Sequence, residues 1–202
     1  IVNAGANSGI LIRDDDHYQA SFDTGQGSHG EWTARTAGTW GNSIGVQICA
    51  SSTAYEQVLG ASYLTVTEDA VGSTSIQVDD VDASGEAFNV GDLISFYSDS
   101  AGSTPVDEYN EYEVTAIDTS SNVLTIRLKD DPNGAGLQSI IPDNSYIKRR
   151  WKFYDLFDAA PGTSDWATAN GRGTGDELHV VVYDTTGDIT GYDGDVAGQR
   201  TS

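Results

Sequence analysis

Apolar and polar positions along this chain change places over short distances, and a 3.6-residue helical period is hard to find. Ile44, Val46 and Ile48 fall at every second position, which predicts a strand over Ile44–Ala50 with these three on one face. Short β-branched and aromatic runs predict further strands at Ile10–Ile12, Ser75–Val78, Val90–Tyr97, Tyr112–Ile117 and Asn122–Leu128. Asp118–Asn122 has a turn-forming residue at every position and reads as the hairpin loop between the last two. Leu178–Tyr183 is almost continuously apolar, the pattern of a strand covered on both faces at the centre of an α/β sheet. Helices are predicted to be few and short. One follows the capping Asp14-Asp15-Asp16 through His17, Tyr18 and Phe22, and one begins at Ser164, after the turn Pro161-Gly162-Thr163.

The chain reads as β-rich α+β in two parts. Residues 62–148 hold four or five short strands at regular spacing, enough for an antiparallel barrel or sandwich with its own core. Residues 1–50 and 149–202 are each too short to close a core alone. They are expected to form one discontinuous domain into which the 62–148 module is inserted.

Composition narrows the function. The 202 residues include 23 Gly and only 4 Pro, and 38% are hydrophobic, so the chain is not disordered by composition. Lys and Arg number 10 against 31 Asp and Glu, a net charge of −21. That argues against non-specific nucleic-acid binding and against an anionic membrane surface, both of which need an excess of cations. No apolar run reaches the ~18 residues of a membrane helix. The one cysteine, Cys49, lies in the apolar run VQICA and reads as a small buried hydrophobe. The chain contains no Met, begins at Ile1, lacks the pattern of a signal peptide, and reads as an internal piece of a longer protein.

Candidate chemistry is sparse. His17, His29 and His179 lie in unrelated contexts, and His179 reads as a core histidine within an apolar strand. No nucleophile elbow, zinc-protease helix or P-loop is present, so no catalytic residue and no cofactor are expected. The stretch Asp184–Asp195 is rich in Asp and Gly, but counted as a calcium loop it has Ile189 where the sharp-turn Gly belongs. It reads as a solvated acidic turn, and no metal is expected. Lys148, Arg149, Arg150 and Lys152 hold four of the ten positive charges. In so acidic a chain this local reversal of sign makes them candidates for contact with a neighbouring copy.

Two blocks carry a resemblance. Trp32–Val46, WTARTAGTWGNSIGV, resembles the A-[RK]-x-P-G-x-W-G-N-x-[IL]-x-V signature of contractile phage tail sheath proteins. Trp151–Gly191 contains YDLFDAAPGTS followed by DELHVVVYDTTGDITG. It is similar to the sheath block Y-D-x-F-D-x-x-P-G-T-S and D-E-[LM]-H-[VI]-V-V-x-D-x-x-G-x-I-[ST]-G. The likeness is closest to sheaths of T4-like myoviruses, including those of cyanobacteria. Ala37 departs from the usual Pro, and Asp193–Arg200 reads as a small insertion before the family's continuation. The resemblance maps onto Arg35, Gly38, Trp40, Gly41, Asn42, Tyr154, Phe157, Pro161, Gly162, Asp176, Glu177, His179, Asp184, Gly187 and Gly191 as folding residues rather than a reaction centre. It implies a structural subunit of hexameric rings stacked around a tail tube, contracting to drive the tube through the host envelope. The implied partners are other copies, the tail tube protein, and the baseplate and tail terminator proteins, with assembly in the host cytoplasm and residence in the virion tail. The inserted module is then an outward decoration. A competing reading is a β-rich carbohydrate-binding or adhesion module that uses Trp32, Trp40, Trp151 and Trp166 as stacking platforms. It requires exposed, coplanar tryptophans, whereas the sheath reading buries Trp40 and Trp151.

Overall fold

The computed structural model describes residues 2–5, 8–11, 43–82, 88–108, 110–129, 131 and 133–191. The architecture is β-rich with few, short helices. By internal contacts the chain divides into one unit made of Ile1–Ile48 with His179–Ser202, and a second unit, Cys49–Leu178. The helix expected after Asp14 lies outside the described residues, as do Arg35, Gly38, Trp40, Gly41 and Asn42.

In the first unit β1 (Val2–Gly5) pairs antiparallel with β2 (Ser8–Leu11). A second two-stranded sheet joins β3 (Ile44–Cys49) to the strand His179–Asp184. Thr185 N donates to Ser43 O at 2.6 Å, and the Gly45 backbone lies under the Tyr183 ring, so the paired residue numbers run in opposite directions. Ile48 and His179 are therefore at neighbouring ends of one strand pair, where the chain leaves this unit and returns to it.

These strands show which side chains the alternation buries, and correct the reading of the second one. Ile44, Val46 and Ile48 are only half-buried, while Gly45 and Cys49, of the opposite parity, are buried. The cause lies in Gly45: a Cβ there would meet the Tyr183 ring at 2.5 Å, so that face is closed by an aromatic lid over a residue without a side chain. The run Leu178–Tyr183 is not covered on both faces. Val181 is buried, but Leu178 is 55% and Val182 37% exposed, and His179 is half-buried rather than a core residue.

The second unit is built on a six-stranded antiparallel sheet. Its strands are β4 (Glu56–Val58), β5 (Ser75–Gln77), β6 (Leu93–Tyr97), β7 (Tyr112–Asp118), β8 (Val123–Leu128) and β9 (Tyr146–Arg150), in the order β4-β9-β6-β7-β8-β5. The His179–Asp184 strand is thus β10. Alternation decides the faces: Tyr112, Val114, Leu124 and Ile126 point to the core, with Glu113, Thr125 and Arg127 outward. The register shifts between Val114 and Ala116, leaving Thr115 as an extra residue. This bulge changes the parity, so Ile117 returns to the core side instead of Ala116. In the hairpin loop Asn122 takes a left-handed φ of 55°, and Asp118 accepts from Ser120 N at 2.9 Å and from the Ser120 and Ser121 hydroxyls at 2.6 Å.

No ladder closes this sheet into a barrel. Residues 59–73 run instead as a strap between its two ends. Leu59 N donates to Ile147 O at 2.8 Å, Thr65 N to Ser145 O at 3.2 Å, and Val66 N to Gln77 O at 3.0 Å, while Thr65 also bridges to Val78. Farther along, Asp69 pairs with Ile141, and Gly72 N donates to Leu137 O at 2.7 Å. Ile76, Ile94, Phe96, Leu137, Ile141 and Ile147 fill the space beneath. Both edge strands are only three residues long, and the strap covers the β5 end, which limits pairing with other chains there.

The boundary of this unit lies beyond the 62–148 read from the alternation. It takes in Cys49–Ala61 and Arg149–Leu178 as well. The reason is β9, whose apolar signal is masked by Lys148, Arg149 and Arg150. It is an internal strand bonded to β4 on one side and β6 on the other, and a boundary at 148 would cut through it.

Candidate functional site

Alternation along β9 sends Lys148 and Arg150 to one face and Arg149 to the other. Glu56 of β4 stands directly opposite Arg150, two residues from Lys148 on the same face. The Glu56 carboxylate accepts from Arg150 Nε and meets Lys148 Nζ at 2.7 Å. Arg150 also donates to Glu111 Oε1 at 2.7 Å, and Lys129 Nζ lies 3.4 Å from Glu111 Oε2. The Tyr154 ring closes the group, with the Arg150 guanidinium 4.8 Å and Lys129 Nζ 5.2 Å from its centroid. Tyr55 stacks edge-on against Tyr154 and donates its hydroxyl to the Tyr154 and Phe157 carbonyls at 2.5 and 3.0 Å. Burial raises the Glu56 pKa, but its bonds to Lys148 and Arg150 outweigh that and leave it lowered. The bonds to Glu56 and the charge of Glu111 likewise outweigh burial at Arg150, which is held more firmly protonated than usual. A cleft of about 490 Å3 opens beside the group, with Ser95, Tyr97, Asn110, Glu111 and Arg150 on its walls.

Glu56→Gln removes the charge shared by two cations, both of which stay partly buried. The expected loss is about 1–2 kcal/mol of unfolding free energy, read by urea denaturation. An unchanged midpoint would show that the solvent already screens these pairs.

On the other face Arg149 is buried. It donates to Thr53 O at 2.8 Å, has Asp92 Oδ2 at 3.7 Å, and its Nε has no partner. Lys152 lies over the Phe153 ring at 5.6 Å. Lys148, Arg149 and Arg150 are thus engaged inside one chain: in a −21 protein, cations placed on a central strand collect carboxylates from adjoining strands and loops.

The second block forms two brackets. In the first, Pro161-Gly162-Thr163-Ser164 is tied to Asp176-Glu177. Ser164 N and Oγ donate to the two Asp176 carboxylate oxygens at 2.8 and 2.6 Å, Gly162 N donates to Glu177 Oε2 at 2.9 Å, and Gly175 N donates to Thr163 Oγ1 at 2.9 Å. Between them Ser164 caps helix α2 (Asp165–Asn170), accepting from Ala167 N at 3.1 Å; the four-residue Ser52–Tyr55 is α1. Gly171 ends α2 with a left-handed φ of 60°. Trp151, Phe153 and Phe157 form an aromatic group, Trp151 stacking on Phe157 at 5.8 Å and meeting Phe153 edge-on at 5.6 Å. Pro161 is buried beyond it.

The second bracket joins the end of the first block to the end of the second. Ser43 donates its hydroxyl to Asp184 and accepts from Thr186 Oγ1 at 2.9 Å. Asp184 also accepts from Gly187 N at 3.1 Å and from Ile189 N and Thr190 N at 2.8 Å. Gly187 and Gly191 supply the left-handed corners, at φ 73° and 89°. The acidic turn was expected to be solvated, yet Asp184 is 3% exposed, because backbone N–H groups rather than water satisfy its carboxylate. Burial raises its pKa, but the Ser43, Thr190 and Ile189 bonds hold it well below the usual range. Asp193 and Asp195 lie outside the described residues.

Four aspartates share this depression with Glu56. Asp99 and Asp118 are drawn down to about 2: at Asp99 desolvation raises the pKa but the Ser103 and Thr104 bonds together outweigh it, and at Asp118 the Ser120 and Ser121 bonds lower it. Asp176 is lowered by Ser164, and Asp184 as above. Each is bound more tightly as the anion in the native state than in the unfolded chain, where the pKa is about 3.9. Their contribution is therefore present above that value and is lost as pH falls through the native pKa. Asp69 and Asp92, raised by burial, act in the opposite sense. Five lowered carboxylates, Glu56 included, against two raised ones predict a melting temperature that falls steadily from about pH 4 toward pH 2. A flat profile across that window would contradict these turns.

Sequence reasoning missed Glu56, Glu111 and Asp92. The available signal was a triplet of cations in an otherwise strand-like stretch, Tyr146–Arg150, which demands nearby carboxylates when it is internal. No family model matches this chain, and the search of curated proteins found no significant match.

Proposed function

We propose that this chain belongs to the subunit of a contractile phage tail sheath, built into stacked hexameric rings around a tail tube. The observation that carries the reading is the bracketing of the second block. Its separate pieces, Pro161–Ser164 with Asp176–Glu177 and Ser43 with Asp184–Gly191, satisfy one another's hydrogen bonds. Residues that satisfy one another in this way serve the shape of a building block, and no catalytic step is proposed. Trp151, 6% exposed beneath two phenylalanines, is consistent with that use. It weighs against a sugar-stacking module, because of the two described tryptophans only Trp166 is exposed.

In this reading the unit around β3 and β10 is the sheath domain, and Cys49–Leu178 is a second unit inserted between Ile48 and His179. Partners are further copies, the tube protein, and the baseplate and terminator at the two ends. The test is to mix the full-length protein with purified tail tubes and sediment them. Pelleting in proportion to tube length supports the proposal. Protein that stays in the supernatant at every concentration and salt overturns it.

A further inference from the structure

Ser95 and Tyr97 stand on the face of β6 turned away from the core residues Ile94 and Phe96, which puts them on the same side of the sheet as Arg150 of β9. After β6 the chain folds straight back. Ser98 N donates to Thr104 O at 3.0 Å, Val106 N donates to Phe96 O at 2.9 Å, and Tyr97 bridges to Pro105. Asp99 pins the turn by accepting from Ser103 N at 3.2 Å and Thr104 N at 2.7 Å. These elements, with Asp107, Glu108, Asn110 and Glu111, wall the cleft of about 490 Å3, a volume within the ~300–1,000 Å3 of small-molecule sites. Part of its polar wall is already committed. The Asp107 carboxylate, 2% exposed, accepts from the Asn110 amide at 2.9 Å and from the Tyr112 hydroxyl, and Glu111 is held by Arg150 and Lys129. The groups left over are of mixed type. Among the described residues, Ser95 Oγ, Tyr97 Oη, Asn110 Oδ1, Arg150 Nη2 and the Glu108 carboxylate have no hydrogen bond or ion pair. They comprise a donor, two acceptors and two hydroxyls that do both.

We propose that this cleft binds a neutral saccharide, whose hydroxyls meet Ser95, Glu108, Asn110 and Arg150 and whose carbon face lies against Tyr97. The inference does not depend on the sheath reading and uses none of the tryptophans weighed above. The lining selects the ligand. Asp107, Glu108 and Glu111 against Arg150 alone repel a phosphate or another anion. A metal ion needs several free oxygens, but Asp107 and Glu111 are spent on their neighbours, and no group of three metal-ligating side chains occurs among the described residues. An apolar ligand would leave the free donors and acceptors buried without partners, which costs binding energy. A sugar carries hydroxyls that both donate and accept, beside an apolar C–H face, and so matches both the mixed polar groups and the walls of Tyr97 and Pro105. The pinned turn and the Asp107–Asn110 bond hold the walls in place beforehand, which lowers the ordering cost of binding.

The test is saturation-transfer NMR of the full-length protein, which reads binding whether or not the protein assembles. The probes are maltotriose, cellotriose and mannotriose at millimolar concentration, with spermidine and glucuronate as their cationic and anionic counterparts. At least one trisaccharide should receive saturation, and spermidine and glucuronate should not. Ser95→Tyr, which fills the cleft from the sheet surface, and Glu108→Ala, at an exposed position, should each weaken that binding about tenfold or more in titration. No transfer to any trisaccharide overturns the proposal. Transfer to spermidine or glucuronate at equal or greater strength overturns it as well. So does trisaccharide binding that folded Glu108→Ala retains at wild-type strength, and this variant decides the matter if Ser95→Tyr fails to fold.

Discussion

Arg149→Ala is expected to lower the unfolding free energy by about 3–5 kcal/mol, the cost of removing one partner from a buried ion pair. Arg149 is 7% exposed and Asp92 4% exposed, on the same side of the sheet. Burial pushes the Asp92 carboxyl up, and Arg149 and the Asn89 N–H groups restrain that rise. Without the guanidinium, Asp92 keeps only Asn89, and the Thr53 carbonyl loses its donor. The carboxyl then favours its neutral form in the native state more strongly. The defect should therefore shrink as pH falls, because protonation removes the uncompensated charge. Replacing both partners, as Arg149→Met with Asp92→Asn, should recover most of the loss. Urea denaturation of the three variants at pH 7 and pH 5 measures this. A single variant within about 1 kcal/mol of wild type would mean that the pair behaves as a solvated one.

Gly136→Val ranks next. A Cβ at Gly136 would lie 2.2 Å from Ser73 O and 2.5 Å from Gly72 O, and these are backbone atoms that cannot rotate away. The two segments must separate, which breaks the bonds Leu137 N to Ser73 O and Gly72 N to Leu137 O and lifts the fully buried Leu137 from the core. The expected cost is about 3 kcal/mol, at the upper end for overpacking. Gly134→Ala, two residues away in open space, is the control: its strain comes from a φ of 69° alone and should cost about 1 kcal/mol. Equal effects of the two would show that the strap is not closely packed there.

Where local pattern and burial agree, the strands were legible. Val123–Leu128 alternates cleanly, Tyr112–Asp118 does so up to its bulge, and their connecting loop is full of turn formers, so the hairpin was expected and lies within a residue of its predicted place. The Ser164 cap was legible for the same reason, since the capping oxygen and the turn before it are local. β9 was not. Its side chains are mostly charged, and only the partners on β4, β6 and the loop at Glu111 make a central strand of them. The burial of the face at Gly45 was not legible either, because no side chain of this strand forms it there. Here a glycine gives the space and Tyr183, far along the chain, fills it. Asp184 was read as solvated because a row of Asp and Gly looks like a surface turn. Its burial follows from long-range pairing with Ser43. The Ser43–Asp184 contact joins the end of the first block to the end of the second, and residues 32–42 of the first block lie outside the described residues.

Under the proposed function, copies of the full-length protein build a lattice. Negative-stain electron microscopy of the purified protein across a salt series tests it most directly. Six-fold rings or tubes are expected, more abundant as salt screens the repulsion between chains of charge −21. Dispersed monomers at every salt concentration would contradict it.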